Sequence, residues 1–182
     1  MAANVAPGRL RLVQEFVNTL AIDEARDEVD TPGRLAAWLA ERGLLTGEPD
    51  GGADHARAIE VREALRRLMI ANNAGEPPAA GDLELLNRAA AAAGLRPRFT
   101  GDGVRLEPED AGVAGALGRL LAMVTEAMAD DTWRRLKACA EHTCGWAFYD
   151  RSKNRSGHWC SMEVCGNRAK ARHFREKQRR RV

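Results

Sequence analysis

Through most of the first 130 positions of this chain, apolar residues recur at spacings of three and four, the period of helices that bury one face. Leu10, Val13, Phe16, Val17 and Leu20 form the first such face. A second helix is punctuated at both ends: Thr31 caps it, Pro32 suits its first position, Leu35, Trp38 and Leu39 point inward, and Gly43 ends it. The stretch from Leu44 to Ala53, rich in Gly, Pro and Asp, predicts a loop. Ile59, Ala64, Leu65, Leu68 and Met69 then predict a longer helix ending near Asn72 and Asn73. After a loop over Gly75 to Gly81, Leu83, Leu85, Leu86 and Ala90 mark a short helix that stops at Gly94.

The period next changes to two. Arg96, Arg98 and Thr100 alternate with Pro97 and Phe99, Gly101-Asp102-Gly103 turns the chain, and Val104 to Leu106 returns, which predicts a hairpin. Pro108-Glu109-Asp110 opens a helix carrying Val113, Leu117, Leu120, Leu121, Val124 and Met128, with its acidic residues in the first turn. Asp130 and Asp131 close it. The expected fold is α+β: a mainly helical N-terminal domain with a β-hairpin over residues 1–130, and a smaller module over 131–182.

Composition adds solubility and a division of charge. Hydrophobic residues are 45% and charged residues 30% of 182, enough for a core and too polar for a membrane protein. No apolar export segment appears, so the expected compartment is the cytoplasm, without membrane contact. The net charge of +2 conceals an asymmetry: from Arg134 to Val182, 14 basic residues face 4 acidic ones, giving +10, while the preceding 133 residues carry 14 against 22, giving −8. A basic segment on an acidic body is the charge pattern of a nucleic-acid-binding module.

All four cysteines lie in that segment, as Cys139 and Cys144, then Cys160 and Cys165, with four residues inside each pair and fifteen between pairs. In a reducing compartment such pairing suits a tetrahedral Zn²⁺ better than disulfides. Zn²⁺ is therefore the expected cofactor, in a structural role, because four thiolates leave no open position for catalysis. His142 and His158 are the competing ligands, read as surface or supporting residues. Trp146 to Tyr149 and His158 to Cys160 predict the two strands of a finger hairpin, with Trp146, Phe148 and Trp159 as its miniature core. A module of that size is expected to be largely unfolded without metal.

After Cys165 the chain reads as a helix. Arg168, Arg172, Arg175 and Arg179 fall within about 60° of one another at roughly 100° per residue, forming an arginine stripe. Lys170 and Lys177 lie on another face, where Phe174 is expected to pack back onto the hairpin. The stripe suits phosphate contact and guanine edges, and Arg179, Arg180 and Arg181 add electrostatic attraction from an unstructured end.

Having reached Cys165-Gly166-Asn167-Arg168, the segment Trp133 to Arg175 resembles the CGNR zinc finger, with Cys139, Cys144, Phe148-Tyr149-Asp150, Trp159-Cys160-Ser161-Met162 and Lys170 also matching. The N-terminal body, through Phe16-Val17-Asn18-Thr19, is similar to the ABATE domain that precedes this finger in bacterial proteins described as stress-induced transcription regulators. The resemblance implies a mixed α/β N-terminal domain, a treble-clef-like finger, and zinc ligation by Cys139, Cys144, Cys160 and Cys165.

The combined reading is a DNA-binding transcription regulator, whose contacts are Arg168, Lys170, Arg172, Arg175, Lys177 and Arg179. A homodimer and a small-molecule or protein effector at the N-terminal domain complete the expected partners. A zinc-stabilised protein-interaction module and an RNA-binding protein are the alternatives. An enzyme is not expected: no glycine-rich phosphate loop, no His-Glu-x-x-His pattern and no nucleophile elbow occurs. Asn18 and Thr19 are read as local hydrogen-bonding residues at the core edge.

Overall fold

The computed structural model of the chain describes residues 4–48, 52–101 and 103–179. Asp102 of the hairpin turn, part of the loop between Leu44 and Ala53, and Arg180 and Arg181 lie outside the described residues. Five helices form the body: α1 (Leu10–Val17), α2 (Pro32–Glu41), α3 (Gly52–Ala74), α4 (Ala80–Ala92) and α5 (Val113–Ala129). Their apolar stripes meet in one core, in which Val13, Phe16, Leu39, Leu65, Met69, Leu117 and Leu120 are fully enclosed. Among the described residues, no helix is long and apolar enough to cross a membrane.

The local signals place most boundaries. Thr31 accepts a hydrogen bond from the Arg34 amide at 3.3 Å, capping α2 as its spacing required. Gly94, at φ +62°, lies just beyond α4, where only glycine turns left-handed without cost. β3 (Arg96–Thr100) pairs antiparallel with β4 (Gly103–Glu107), from Arg96 opposite Glu107 to Thr100 opposite Gly103.

Two expectations about the body are corrected. Leu20 does not continue α1; it opens β1 (Leu20–Ala21), which pairs with β2 (Arg26–Asp27) around a short 3₁₀ turn. α5 begins at Val113, leaving Pro108-Glu109-Asp110 in the preceding loop. There the Asp110 carboxylate accepts from the Gly112 and Gly115 amides at 2.8 and 3.1 Å, so an acid does serve the helix start, but from outside it.

The last part of the chain holds β5 (Leu136–Ala138), β6 (Ala147–Tyr149), a π-helical turn (Met162–Gly166) and α6 (Asn167–Arg179). β6 pairs with β5, Leu136 opposite Tyr149, and not with the segment entering Cys160 as the sequence suggested. The reason is burial: Leu136, Ala138, Ala147 and Tyr149 join the body's apolar core, and β5 lies along α3. The finger's hairpin is thus built into the same hydrophobic unit as the helices.

Candidate metal centre and basic helix

Cys139 follows β5 directly, and the Cys139 amide donates to the Trp146 carbonyl at 2.9 Å, extending the hairpin to its tip. The amides of Cys144 and Gly145 both turn back to the Glu141 carbonyl, closing a tight knuckle that aims both thiols inward. Gly145 is required there twice over. Its φ is +58°, and a Cβ would stand 2.7 Å from Cδ1 of Ile22 on the body.

The second pair arrives on different elements. The Ala140 amide donates to the His158 carbonyl at 2.9 Å, bringing the segment that contains Trp159 and Cys160 alongside the knuckle. Ser161 then caps the π-turn by accepting from the Val164 amide, and Cys165 sits buried in that turn. Each residue after it has a local function. Gly166 leaves room for the Met162 sulfur, which an added Cβ would meet at 2.8 Å, and Asn167 donates to the Glu163 carbonyl at 2.9 Å. Arg168 points toward Asp23 of the body at 3.8 Å.

The four sulfurs lie within 4.8 Å of one another. Cys144 and Cys160 are 3.6 Å apart and Cys160 and Cys165 3.8 Å, and all four thiols are free of disulfides. A tetrahedron with metal–sulfur bonds of about 2.3 Å has edges of about 3.8 Å, so the donor set fits zinc. The thiols also interact as a cluster that needs a cation. Hydrogen bonds from Cys144 and Cys160 pull Cys139 down to about 2, while Cys144 is pushed up to about 12, first by its bond to Cys139. Cys160 is raised for the same reason by both neighbours, and Cys165 is raised chiefly by burial. One thiolate is favoured by the protein alone, whereas four require a compensating dication.

Around the sulfurs, Trp146 and Trp159 pack half-buried, as expected for a small core, whereas Phe148 is buried outside that cluster. His142 projects into solvent with its side chain 73% exposed, and His158 turns its Nδ1 to Asn73 at 2.8 Å, so neither histidine is drawn into the cluster.

The body grips this knuckle through polar side chains absent from the sequence-based site. Asn73 of α3 donates to the carbonyls of Ala138 and His158 at 2.7 and 2.9 Å, and Asn72 to those of Trp133 and Leu136. Arg66, also on α3 and buried, donates to the Gly145 carbonyl at 2.7 Å and to Val17 of α1 at 2.6 Å. Just after α1, Asn18 exchanges two hydrogen bonds with the backbone of Ala147, and Thr19 donates to the Phe16 carbonyl and accepts from Arg62. Asn18 and Thr19 are accordingly structural, as their composition suggested. The only sequence signal for the rest was an Asn-Asn pair and two arginines within an apolar helix, which periodicity reads as a solvent face.

α6 leaves the centre with its arginines unequally placed. Arg172 lies 2.8 Å from both carboxylate oxygens of Glu141, a residue only 2% exposed and positioned between Cys139 and Cys144. The Arg172 guanidinium holds that carboxyl below the usual carboxylate range, against the effect of burial. Arg168 faces Asp23, whereas Lys170, Arg175, Lys177 and Arg179 are exposed. Phe174 does not pack back onto the hairpin: it is 62% exposed, because Glu141 and Asp23 draw the arginine side of α6 inward and turn the Lys170, Phe174 and Lys177 side to solvent.

A helical body holding a four-thiol knuckle, from which a basic helix projects, defines a zinc-finger protein. The chain belongs to the ABATE family, described as "Putative stress-induced transcription regulator", whose family model matches residues 10–134; residues 135–178 match the CGNR zinc finger. Zinc is accordingly its structural metal, and both families are non-enzymatic in type. Among curated proteins, a search finds no match to the chain.

Proposed function

We propose that this chain is a cytoplasmic, DNA-binding transcription regulator in which Cys139, Cys144, Cys160 and Cys165 hold one structural zinc ion and α6 meets the phosphate backbone. The observation that carries this reading is that four cations, Lys170, Arg175, Lys177 and Arg179, stand exposed around a helix anchored directly beside the thiols. Zinc supplies cross-linking and charge compensation. The chain's own residues orient the helix: Glu141 fixes Arg172, Asp23 faces Arg168, and the remaining cations stay available for phosphates.

Duplex binding measured against salt tests the reading. Affinity falls steeply as salt rises, with a slope of about −0.9 per neutralised phosphate, and Arg175→Ala plus Arg179→Ala makes it shallower by about 1.8. Absence of duplex binding at low salt, with binding to an acidic protein or to single-stranded RNA instead, would overturn it.

A further inference from the structure

Three described residues other than glycine hold left-handed backbone, and two of them face each other. Asp131, at φ +63°, lies between α5 and β5; Arg155, at φ +51°, lies in the turn after β6. Nη2 of Arg155 is 2.5 Å from Oδ2 of Asp131, and Nε of Arg134 is 3.7 Å from the other carboxylate oxygen. Two guanidinium groups therefore share a single carboxylate, leaving a net positive charge and unused N–H donors. Left-handed backbone is costly for arginine and persists only where the surroundings enforce it, whereas Asp131 directly follows the C-cap of α5, where that conformation is the usual helix stop.

The setting favours an oxyanion. Arg134 and Arg155 border an open cleft of about 530 Å³ between the end of α3 and β5, whose charged lining is Arg134, Lys137 and Arg155 against the single carboxylate of Glu76. Arg151 and Lys153 are exposed in the same turn as Arg155. Lys137 has all its donors engaged by Asp150, Arg155 and Gly157, so it contributes no free donor, and the recognising groups are the two arginines. Asp131 is 57% exposed, and an exposed carboxylate bound to arginines exchanges readily with other anions. A phosphodiester presents the same charge with two oxygens spaced for guanidinium forks.

We infer that Arg134 and Arg155 form a second phosphate-binding point on this chain, occupied by the Asp131 carboxylate until a backbone phosphate of duplex DNA displaces it. The inference rests on the DNA-binding reading and extends it from one helix to a two-point footprint. The zinc knuckle and the Arg155 turn sit at opposite ends of β5 and β6, strands of three residues each, so roughly 10 Å of hairpin separates them, well under the roughly 34 Å of one duplex turn.

The test uses the full zinc-loaded chain, a duplex of about 20 base pairs and a salt series, with circular dichroism confirming the fold of each variant. Asp131→Asn and Asp131→Gly both remove the competing charge and both tolerate left-handed backbone. Each is expected to bind the duplex about three- to tenfold more tightly at low salt. Arg134→Ala plus Arg155→Ala is expected to lower the salt slope by about 1.8, at about 0.9 per phosphate, and to cancel the gain from Asp131→Asn. Unchanged affinity in both Asp131 variants overturns the inference while leaving the α6 reading intact, provided Arg175→Ala plus Arg179→Ala still flattens the slope. No duplex binding by any form overturns both.

Discussion

Arg172 of α6 and Glu141 of the zinc knuckle are joined across 31 residues of sequence, one guanidinium nitrogen reaching both oxygens of a nearly inaccessible carboxylate at 2.8 Å. The bridge links the two halves of the cysteine set, since Glu141 lies within the first pair and Arg172 on the helix that follows the second. It also ties Nη1 of Arg172 to a carboxylate, which fixes how α6 leaves the knuckle.

Arg172 should therefore behave as a positioning residue, unlike its neighbour three places on. Arg172→Ala is expected to weaken zinc retention on the order of tenfold, as loss of outer-sphere support does, and to lower the helicity of α6. Arg175→Ala should leave both unchanged. Competition with a chromogenic chelator, alongside circular dichroism, reads the difference; equal zinc retention in the two variants would sink the assignment.

Metal removal should loosen the finger selectively. The apolar faces of β5 and β6 are part of the body's core, whereas Cys139, Cys144 and Cys165 form a separate cluster with Trp146, Trp159 and Cys160. Chelation is expected to expose residues 158–179 to rapid amide exchange while protection persists in α1, α3, α5 and much of 136–149. Trp146 and Trp159 fluorescence should change in step with zinc release. Loss of protection throughout the hairpin would show that the metal, and not the shared core, holds it.

Acid stability depends on a buried pair. Burial pushes the Asp150 carboxyl up, but the Lys137 ammonium at 2.9 Å and the amides of Ser152 and Gly157 bring it well below the ordinary carboxylate range. A folded-state value below that of the unfolded chain gives stability that is fully present above about pH 4 and is lost as pH falls further. Asp150→Asn should cost about 3 kcal/mol at pH 7, because Lys137 is left charged without a counter-ion. It should also flatten the decline of stability below pH 4. Urea titrations at pH 7 and along an acid series, comparing Asp150→Asn with the parent chain, check the sign; a steeper acid decline in the variant would contradict it.

The seam between helices and finger should be sensitive at Asn73. Its amide serves two backbone carbonyls and its oxygen meets His158, all in a site only 7% exposed. Asn73→Leu leaves those groups without partners and is expected to destabilise the chain by about 2–3 kcal/mol, read as a lower urea midpoint at unchanged slope. A change below about 0.5 kcal/mol, the usual scatter for an inert surface position, would show that water replaces the amide without loss.

The sequence by itself determined whatever depends on near neighbours along the chain. Thr31-Pro32 and Gly43 punctuate α2, the alternation around Gly101 to Gly103 specifies the β3–β4 hairpin, and two cysteine pairs at matching spacing specify a metal site. Each of these rests on caps, turns or periodicity, which act within a few residues.

Tertiary structure alone decided the partners of those elements. Periodicity marks Leu136 and Ala138, and Trp146 to Tyr149, as apolar without saying what covers them, and the covering surfaces are α3 for β5 and α1 for β6, each more than 60 residues away in sequence. The six cations of α6 look alike on a helical wheel. Two are drawn to Glu141 and Asp23, carboxylates placed by the knuckle and by the 3₁₀ turn of the body, and the other four remain exposed. Charge can be counted along a chain, but whether a guanidinium meets a carboxylate or water is fixed by which backbone segments the packed core brings together.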